Sequence, residues 1–179
     1  MTKIAKILGL NLRPNPTPLF KETTADITFP DGKVRTWSYV EAPDIAVIVA
    51  LDPQGNVYLK REWRLAHDQE LAELPSGRLN PDESPAVAAA RELKEEVGLT
   101  PSQVVFLQSV PLWNHGTVKA HIFLALDCTL GDSAPDEGEF IEPVSMPLVD
   151  AIAYVEKAGS NAQTLLGLRL AQEYLNRKE

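Results

Sequence analysis

Apolar and polar residues alternate along the chain in a pattern that predicts interleaved strands and helices. Two β-prone segments, residues 25–29 and 34–40, flank Pro30-Asp31-Gly32-Lys33, and an Asp-Gly pair between such segments is a strong hairpin signal. A second hairpin is predicted where residues 45–51 and 57–63 flank residues 52–56. Because residues 45–51 are all apolar, we expect this strand to lie inside a sheet with both faces covered.

Further strands are predicted at residues 104–110 and 119–127, and helices at about 85–97, 148–157 and 162–177. This interleaving is typical of a layered α/β domain with a mixed sheet. The proline-rich residues 11–19 predict an extended arm. We therefore divide the chain into an N-terminal arm with a small antiparallel β unit, residues 1–42, and a main domain, residues 43–179.

The composition is that of an ordinary globular protein and argues against several functions. The 179 residues are 44% hydrophobic and 23% charged, unlike a disordered chain. The longest apolar stretch is far shorter than the roughly 20 residues that cross a bilayer, so we expect no membrane span. With 17 basic and 25 acidic side chains the net charge is −8, which disfavours nucleic acid as a partner.

Cys128 is the single cysteine, so no intramolecular disulfide is possible. It lies in an apolar run, and we expect a buried, inert thiol. Near the N-terminus Lys6 interrupts the apolar residues 4–10 and no small-residue cleavage site follows, so no secretory signal is predicted. These features favour a cytoplasmic location.

The first predicted helix has clear ends and carries an acidic stripe. Ser84 suits the N-cap, Pro85 the first turn and Gly98 the left-handed residue after the last turn. At about 100° per residue, the side predicted to be buried is formed by Ala86, Ala90, Leu93 and Val97. The opposite side carries Glu92, Glu95 and Glu96.

Two interpretations of this acidic stripe are open from the helix alone. Carboxylates three and four residues apart repel each other, so the stripe is either a solvated charged face or a cluster that holds a cation. Carboxylate oxygens are the ligands that Mg²⁺ requires, together with substrate phosphates and water. The spacing of the surrounding residues decides between the two interpretations.

Residues 77–99, GRLNPDESPAVAAARELKEEVGL, resemble the Nudix box of the Nudix hydrolase family at every defining position. The defining positions are Gly77, Glu83, Arg91, Glu92, Glu95, Glu96 and Gly98. Seven such identities at fixed spacing would arise by chance roughly once in 10⁸ starts. The resemblance implies an α/β/α sandwich with a mixed sheet, and hydrolysis of a nucleoside diphosphate linked to another group.

The same resemblance implies roles for single residues. Glu92 and Glu96 are the expected principal ligands of Mg²⁺, with Mn²⁺ as a possible substitute. Glu95 assists as a ligand or through water, and Glu83 supports the cluster or binds an additional metal. Because Gly77 allows the backbone to approach the site, a carbonyl near Ser76 is a further candidate ligand. Arg91 is expected to orient the glutamates.

From about residue 20 to the end, the chain resembles the branch of ADP-ribose pyrophosphatases and related nucleotide-sugar hydrolases. Residues 60–66, KREWRLA, resemble its R-Q-Y-R strand, and residues 73–84, ELPSGRLNPDES, resemble its E-L-P-A-G-x-I-x-x-G-E-S segment. In that branch the N-terminal sheet packs across a homodimer, and a base on a loop after the box activates water. The matching loop is residues 136–143, where Glu139 is the first candidate and Glu137 the second; a mobile acidic surface loop is the alternative.

Substrate contacts are expected from basic and aromatic residues. Arg61, Arg64 and Arg78 are candidate phosphate ligands because guanidinium pairs well with phosphate oxygens, although each also suits a surface ion pair. Trp37 is a candidate for stacking on a base, with a core or dimer-interface role as the alternative. Trp113 is a candidate lining residue of the substrate pocket, with packing or a turn as the alternative.

These observations predict Mg²⁺-dependent hydrolysis of ADP-ribose, or a similar nucleoside diphosphate sugar, to a nucleoside monophosphate and a sugar phosphate. The runner-up is a related pyrophosphatase for GDP-mannose or a dinucleotide. RNA decapping is disfavoured by the acidic charge. A nucleotide-sugar sensor without turnover is the alternative from another class, and the intact box argues against it. The expected partner is a small nucleoside diphosphate derivative.

Overall fold

A computed structural model describes residues 19–136 and 139–178. Three predictions fall outside the described residues. They concern nearly all of the extended arm, the N-terminal segment for which no secretory signal is predicted, and the candidate base Glu137. The strands are β1 (Lys21–Thr28), β2 (Val34–Glu41), β3 (Ile45–Leu51), β4 (Asn56–Arg64), β5 (Gln69–Glu73), β6 (Ser76–Arg78), β7 (Leu99–Thr100), β8 (Gln103–Pro111), β9 (Lys119–Leu126), β10 (Thr129–Leu130) and β11 (Ile141–Pro147). The helices are α1 (Pro85–Val97), α2 (Leu148–Ala158) and α3 (Ala162–Asn176).

A mixed seven-stranded sheet forms the centre of the described part of the chain. Its order is β11-β4-β3-β9-β8, with β5 also paired to β4 and β6 to β3. Strands β3 and β9 are parallel, and the other neighbours in this sheet are antiparallel. The all-apolar β3 sends Ile48 into a core with α1, whereas Val49 faces a second core with α2 and α3. The predicted α/β/α sandwich is therefore confirmed.

The two predicted hairpins have different outcomes. Strands β1 and β2 pair over their whole length around the Asp-Gly turn, and they form a two-stranded sheet of their own. Strands β3 and β4 pair only beside their turn, at Ala50 with Tyr58 and Leu51 with Val57. Strand β6 pairs with the first half of β3 instead. Strands β3 and β4 thus separate away from their turn, and β6, which contains the first residues of the predicted box, pairs with β3 where β4 does not.

Several strands were not predicted, and proline and glycine account for two of them. Strand β6 contains Gly77, and β11 contains Pro143 and Pro147, residues that usually mark turns. Strand β11 lies at the end of the sheet order, where a missing N–H is tolerated. The expectation of a loop over residues 136–143 is wrong from Ile141 onward, because β11 begins there.

The helix ends agree closely with the prediction. Helix α1 begins at Pro85 and ends at Val97, as predicted; the Ser84 hydroxyl accepts the Val87 N–H at 3.4 Å, and Gly98 has a φ of 70°. Across residues 19–136 and 139–178, none of the helices is long and apolar enough to cross a membrane. The predicted burial of Cys128 is confirmed, and this burial raises the pKa of its thiol to about 11.

Candidate active site

The predicted acidic residues meet where β4, β6 and α1 come together. Strand β6 leads through the loop at residues 79–84 into α1, so one continuous segment forms both the floor and one wall of the site. The pairing of β6 with β3 fixes this segment against the centre of the sheet. Glu92, Glu95 and Glu96 are thereby held on α1, and Glu83 lies in the loop just before it.

Helix α1 is rotated relative to the predicted orientation. Ala86 and Ala90, which were expected to be buried, are exposed, whereas Ala88 and Ala89 are buried with Leu93. The buried face is therefore centred near Glu96, which is only 3% exposed. The expectation that all three helix glutamates lie opposite the core is wrong for Glu96. This carboxylate points into the junction between the helix and the sheet.

Arg91 connects the exposed side of the acidic cluster. Its Nε and Nη2 donate to the two oxygens of Glu83 at 2.8 and 2.9 Å, and its Nη1 donates to Glu92 at 2.7 Å and Glu95 at 2.9 Å. Nη2 also donates to the carbonyl of Arg78 at 2.9 Å. One guanidinium thus orients three carboxylates and ties the helix to β6. The hydrogen bond with Arg91 lowers the pKa of Glu83 to about 2.

Gly77 is required by the position of Glu92. A Cβ placed on Gly77 would lie 1.9 Å from the carboxyl carbon of Glu92 and about as close to both of its oxygens. Any larger residue at position 77 would therefore clash with the Glu92 carboxylate in its present position. Burial is the main cause that raises the pKa of Glu92 above its ordinary value.

Glu96 is held from two sides. Its Oε2 accepts the N–H of Ser76 at 2.9 Å, and its Oε1 accepts a hydrogen bond from the ammonium of Lys60. Burial, followed by the neighbouring Glu92 charge, raises the pKa of Glu96 to about 7 against the opposing effect of Lys60. Lys60 lies on β4 and was not among the predicted site residues. Strand alternation was the available signal, since Lys60 shares a face with Arg64.

An open cleft of about 780 Å³ lies over this cluster. The predicted site residues that line it are Ser76, Arg64, Arg78, Arg91, Glu92, Glu96 and Glu139. Residues that the sequence did not single out also line it, including Lys60, Phe20, Asn80, Asp136 and Gln163. Glu83 and Glu95 do not line the cleft, and they join the site through Arg91.

Glu139 is half-buried and is one of the residues that line the cleft. Asp136 and Glu139 are joined by two hydrogen bonds: the Glu139 N–H donates to the Asp136 carbonyl at 3.0 Å, and the Asp136 N–H donates to the Glu139 carboxylate at 3.3 Å. Glu139 thus lies at the same cleft as Glu92 and Glu96. The second candidate, Glu137, is outside the described residues.

Arg61 is not part of the cleft. It alternates with Lys60 and Arg64 along β4, so its side chain lies on the opposite face, where it pairs with Glu70 and Glu142. Its predicted role in binding phosphate is therefore not supported by its position. Arg64 does face the cleft, but its guanidinium also pairs with buried Glu73 and with Glu62.

Neither of the two predicted aromatic contacts, Trp113 and Trp37, is among the residues that line the cleft. Trp113 is 40% exposed and packs edge-on against Phe20, with ring centroids 6.4 Å apart. Trp37 is 50% exposed on β2 and lies 5.9 Å from the Phe29 ring. Phe20, which was not predicted as a site residue, lines the cleft instead.

The chemistry of the cluster fits a divalent cation. Among the residues that the structure describes, no three Asp, Glu, His or Cys side chains are arranged to hold an ion, and Arg91 and Lys60 engage the carboxylates instead. All donors are nevertheless hard oxygens, which suit Mg²⁺. Burial raises the pKa of both Glu92 and Glu96, so a bound cation would stabilise their charged forms.

Comparisons with known proteins agree with this geometry. The model of the NUDIX domain matches residues 41–166. The ADP-ribose pyrophosphatase of Bacillus subtilis (strain 168) is 29% identical over 136 residues, which cover 73% of this chain and 72% of the relative. The ADP compounds hydrolase NudE of Escherichia coli (strain K12) is 28% identical over 160 residues, which cover 88% and 86%.

A crystal structure of an ADP compounds hydrolase has a similar fold. It superposes with a TM-score of 0.80 at 25% sequence identity, covering 92% of this chain and 91% of the other. The domain match spans well over half of the chain and contains the whole box from Gly77 to Gly98. The sandwich, the glutamates around Arg91 and these relatives lead to one conclusion: the chain belongs to the Nudix family and is a Nudix hydrolase.

Proposed function

We propose that this Nudix hydrolase cleaves the pyrophosphate bond of ADP-ribose or a similar nucleoside diphosphate sugar in the presence of Mg²⁺. The products are a nucleoside monophosphate and a sugar phosphate. The observation that supports this most directly is the convergence of Glu92, Glu96, Glu139, Arg64 and Arg78 on one cleft. The cleft is open, and its volume suits a ligand of nucleotide-sugar size.

In this proposal the box glutamates hold the cation. Glu92 and Glu96 are its main ligands, Glu95 and Glu83 support them through Arg91, and the carbonyl near Ser76 is a further ligand. When bound, Mg²⁺ neutralises phosphoryl charge and so favours attack by water. Mn²⁺ is expected to substitute, because it accepts the same oxygen ligands.

Glu139 is our proposed general base. It lines the same cleft as Glu92 and Glu96, so its carboxylate could take a proton from a water near a phosphate bound there. Arg64 and Arg78 are proposed phosphate ligands because both line this cleft and guanidinium pairs well with phosphate oxygens. Glu139→Gln is expected to lower kcat at least ~100-fold, in the range typical of a lost general base. Glu142→Gln is the matched control, because its carboxylate pairs with Arg61 on the other face of β4.

The proposed nucleoside is adenosine. Both relatives act, by their names, on ADP-ribose or ADP compounds. Phe20 offers an exposed ring at the cleft, with Trp113 packed against it, and aromatic rings stack well on bases. Arg61 is left out of this substrate site because of its position on the opposite face of the sheet.

We also propose a homodimer built on the β1–β2 hairpin. A two-stranded sheet is marginal on its own, and here Ile27, Val34 and Trp37 are exposed on it. Ile27 and Trp37 lie on the same face of this hairpin, and Val34 lies on the other. A second copy of the chain would cover Ile27 and Trp37. Light scattering of the purified protein is expected to give twice the chain mass, and Trp37→Glu is expected to shift it toward one chain mass. A monomeric wild-type protein would exclude the dimer.

A substrate panel in oxygen-18 water tests the reaction itself. ADP-ribose, another ADP-sugar, GDP-mannose and a dinucleotide are each incubated with the protein and Mg²⁺, and the product masses identify the substrate and the phosphorus attacked. We expect the highest kcat/KM for an ADP-sugar and no turnover after chelation. Preference for GDP-mannose or a dinucleotide would support the runner-up, whereas no cleavage of any diphosphate with Mg²⁺ or Mn²⁺ would overturn the proposal.

A further inference from the structure

Lys60 is a buried charged residue that the reaction described above does not use. It is 1% exposed on β4, between Pro143 of β11 and Glu73 of β5. A fully buried lysine is rare, because removing an ammonium from water is costly unless it is paired. The position of Lys60 therefore requires an explanation from its contacts.

The ammonium of Lys60 contacts two carboxylates at the base of the cleft. It donates to Oε1 of Glu96, and it lies 3.3 Å from Oε2 of Glu62. That oxygen of Glu62 is buried and has no hydrogen-bond partner among the described residues. Lys60 thus supplies the positive charge shared by Glu96 and Glu62.

The arrangement also fixes the direction in which Glu96 points. Lys60 holds one carboxylate oxygen, and the Ser76 N–H holds the other at 2.9 Å. Each carboxylate oxygen has a further lone pair, so both can still approach a cation. Any cation bound by Glu96 would, however, share it with a fixed ammonium of the same sign.

A purely structural ion pair does not account for this placement well. A buried pair is often no more stabilising than apolar side chains of the same volume, so burial alone gives no reason to place a lysine here. The reason lies in Glu96, which would be an uncompensated buried charge near Glu92 if Lys60 were apolar and no metal were bound. The Lys60 ammonium therefore stabilises the protein most when no metal is bound.

We propose that Lys60 is a positioning residue: it orients Glu96 in the metal-free protein and, by sharing this carboxylate, weakens the binding of the divalent cation. The inference rests on the metal-dependent function proposed above. Two effects of opposite sign follow from it. Removing the ammonium destabilises the metal-free protein, because Glu96 loses its counter-charge while Glu62 keeps only Arg64 among the described residues. It also strengthens metal binding, because repulsion of the cation is removed.

Lys60→Met separates these effects, since methionine has a similar length and no charge. Mn²⁺ affinity is measured from the electron paramagnetic resonance signal of the free ion, and the melting temperature is measured with EDTA and with Mg²⁺. We expect at least ~10-fold tighter Mn²⁺ binding, a lower melting temperature in EDTA, and a larger rise on adding Mg²⁺ than in the wild-type protein. Lys157→Met, at an exposed position of α2, is the matched control and should change neither quantity.

A folded Lys60→Met protein that binds Mn²⁺ as the wild-type protein does, or more weakly, would overturn the inference. If this variant does not fold, Lys60→Gln and the wild-type protein with nitrogen-15 lysine provide the test. A protected ammonium signal in EDTA that shifts on adding Mg²⁺ supports the inference, and a signal insensitive to Mg²⁺ overturns it. Wild-type protein that binds no Mn²⁺ would overturn the proposed function as well, so the two failures are distinguishable.

Discussion

Gly77→Ala should strongly lower activity while leaving the protein folded. The added methyl group would lie 1.9 Å from the Glu92 carboxyl carbon and 2.0 and 2.2 Å from its oxygens. Gly77 does not have the left-handed backbone conformation that only glycine adopts readily, so alanine causes no backbone strain there. The clash therefore falls on the Glu92 side chain, which has rotatable bonds and can move away from the methyl group.

The size of the effect follows from the distance. Ordinary contact begins at about 3.4 Å, so the Glu92 carboxylate must move by about 1.5 Å. Metal–ligand distances tolerate only ~0.2 Å, and a misplacement of ~1 Å at a reacting centre costs about 100-fold in rate. We expect kcat to fall about 100-fold. The free energy of unfolding should change by less than about 1 kcal/mol, because alanine also restricts the unfolded chain.

The assay combines initial rates of ADP-ribose hydrolysis at saturating Mg²⁺ with thermal unfolding of the same preparation. Gly131→Ala is the matched control, since a Cβ there would meet the Gly98 carbonyl oxygen at an ordinary contact distance of 3.6 Å. The control should retain both rate and stability. A folded Gly77→Ala protein with a rate within about 3-fold of wild type would refute the link between Gly77, the place of Glu92 and catalysis.

Three further changes test other parts of the description. Glu96→Gln should lower kcat at least ~100-fold with an unchanged far-ultraviolet circular dichroism spectrum, and near-normal turnover would exclude Glu96 as a metal ligand. Because the pKa of Cys128 is raised from 9.0 to about 11, its thiolate is about 100-fold scarcer near pH 8 than in an ordinary thiol. Alkylation of the native protein should accelerate only as the pH rises toward 11, and rapid labelling at pH 8 would contradict this. Leu93→Ala removes a fully buried side chain of α1 and should lower the free energy of unfolding, measured with urea, by about 2–5 kcal/mol. A loss below ~1 kcal/mol would contradict its place in the core.

Local signals were sufficient to predict the main elements. The cap at Ser84 and the left-handed Gly98 defined both ends of α1, and the Asp-Gly pair defined the β1–β2 turn. These signals depend on only a few neighbouring residues, so they can be recognised in a single sequence. Strand β6 was missed because its pairing partner is the first half of β3, some thirty residues earlier, and nothing within the segment itself indicates that contact.

The orientation of α1 shows a different limit. Apolar periodicity placed Ala86 and Ala90 in the core, but alanine also occupies positions 88 and 89, and hydrophobicity does not distinguish these four alanines from one another. The sheet instead packs against Ala88 and Ala89, whose small side chains allow close approach, and Glu96 is carried into the junction. Hydrophobicity cannot predict a buried glutamate. Its compensation by Lys60 depends on a strand distant in the sequence.

The charge of the chain has a physical explanation once these positions are known. The four box glutamates, Glu83, Glu92, Glu95 and Glu96, account for half of the net charge of −8. Arg91 and Lys60 offset two of these four negative charges, which leaves a local charge of −2. One divalent cation would balance that remainder, and its charge would turn a repulsive site into an attractive one for a diphosphate. Substrate affinity should therefore fall more on removing the divalent metal than on replacing Arg64 or Arg78 singly.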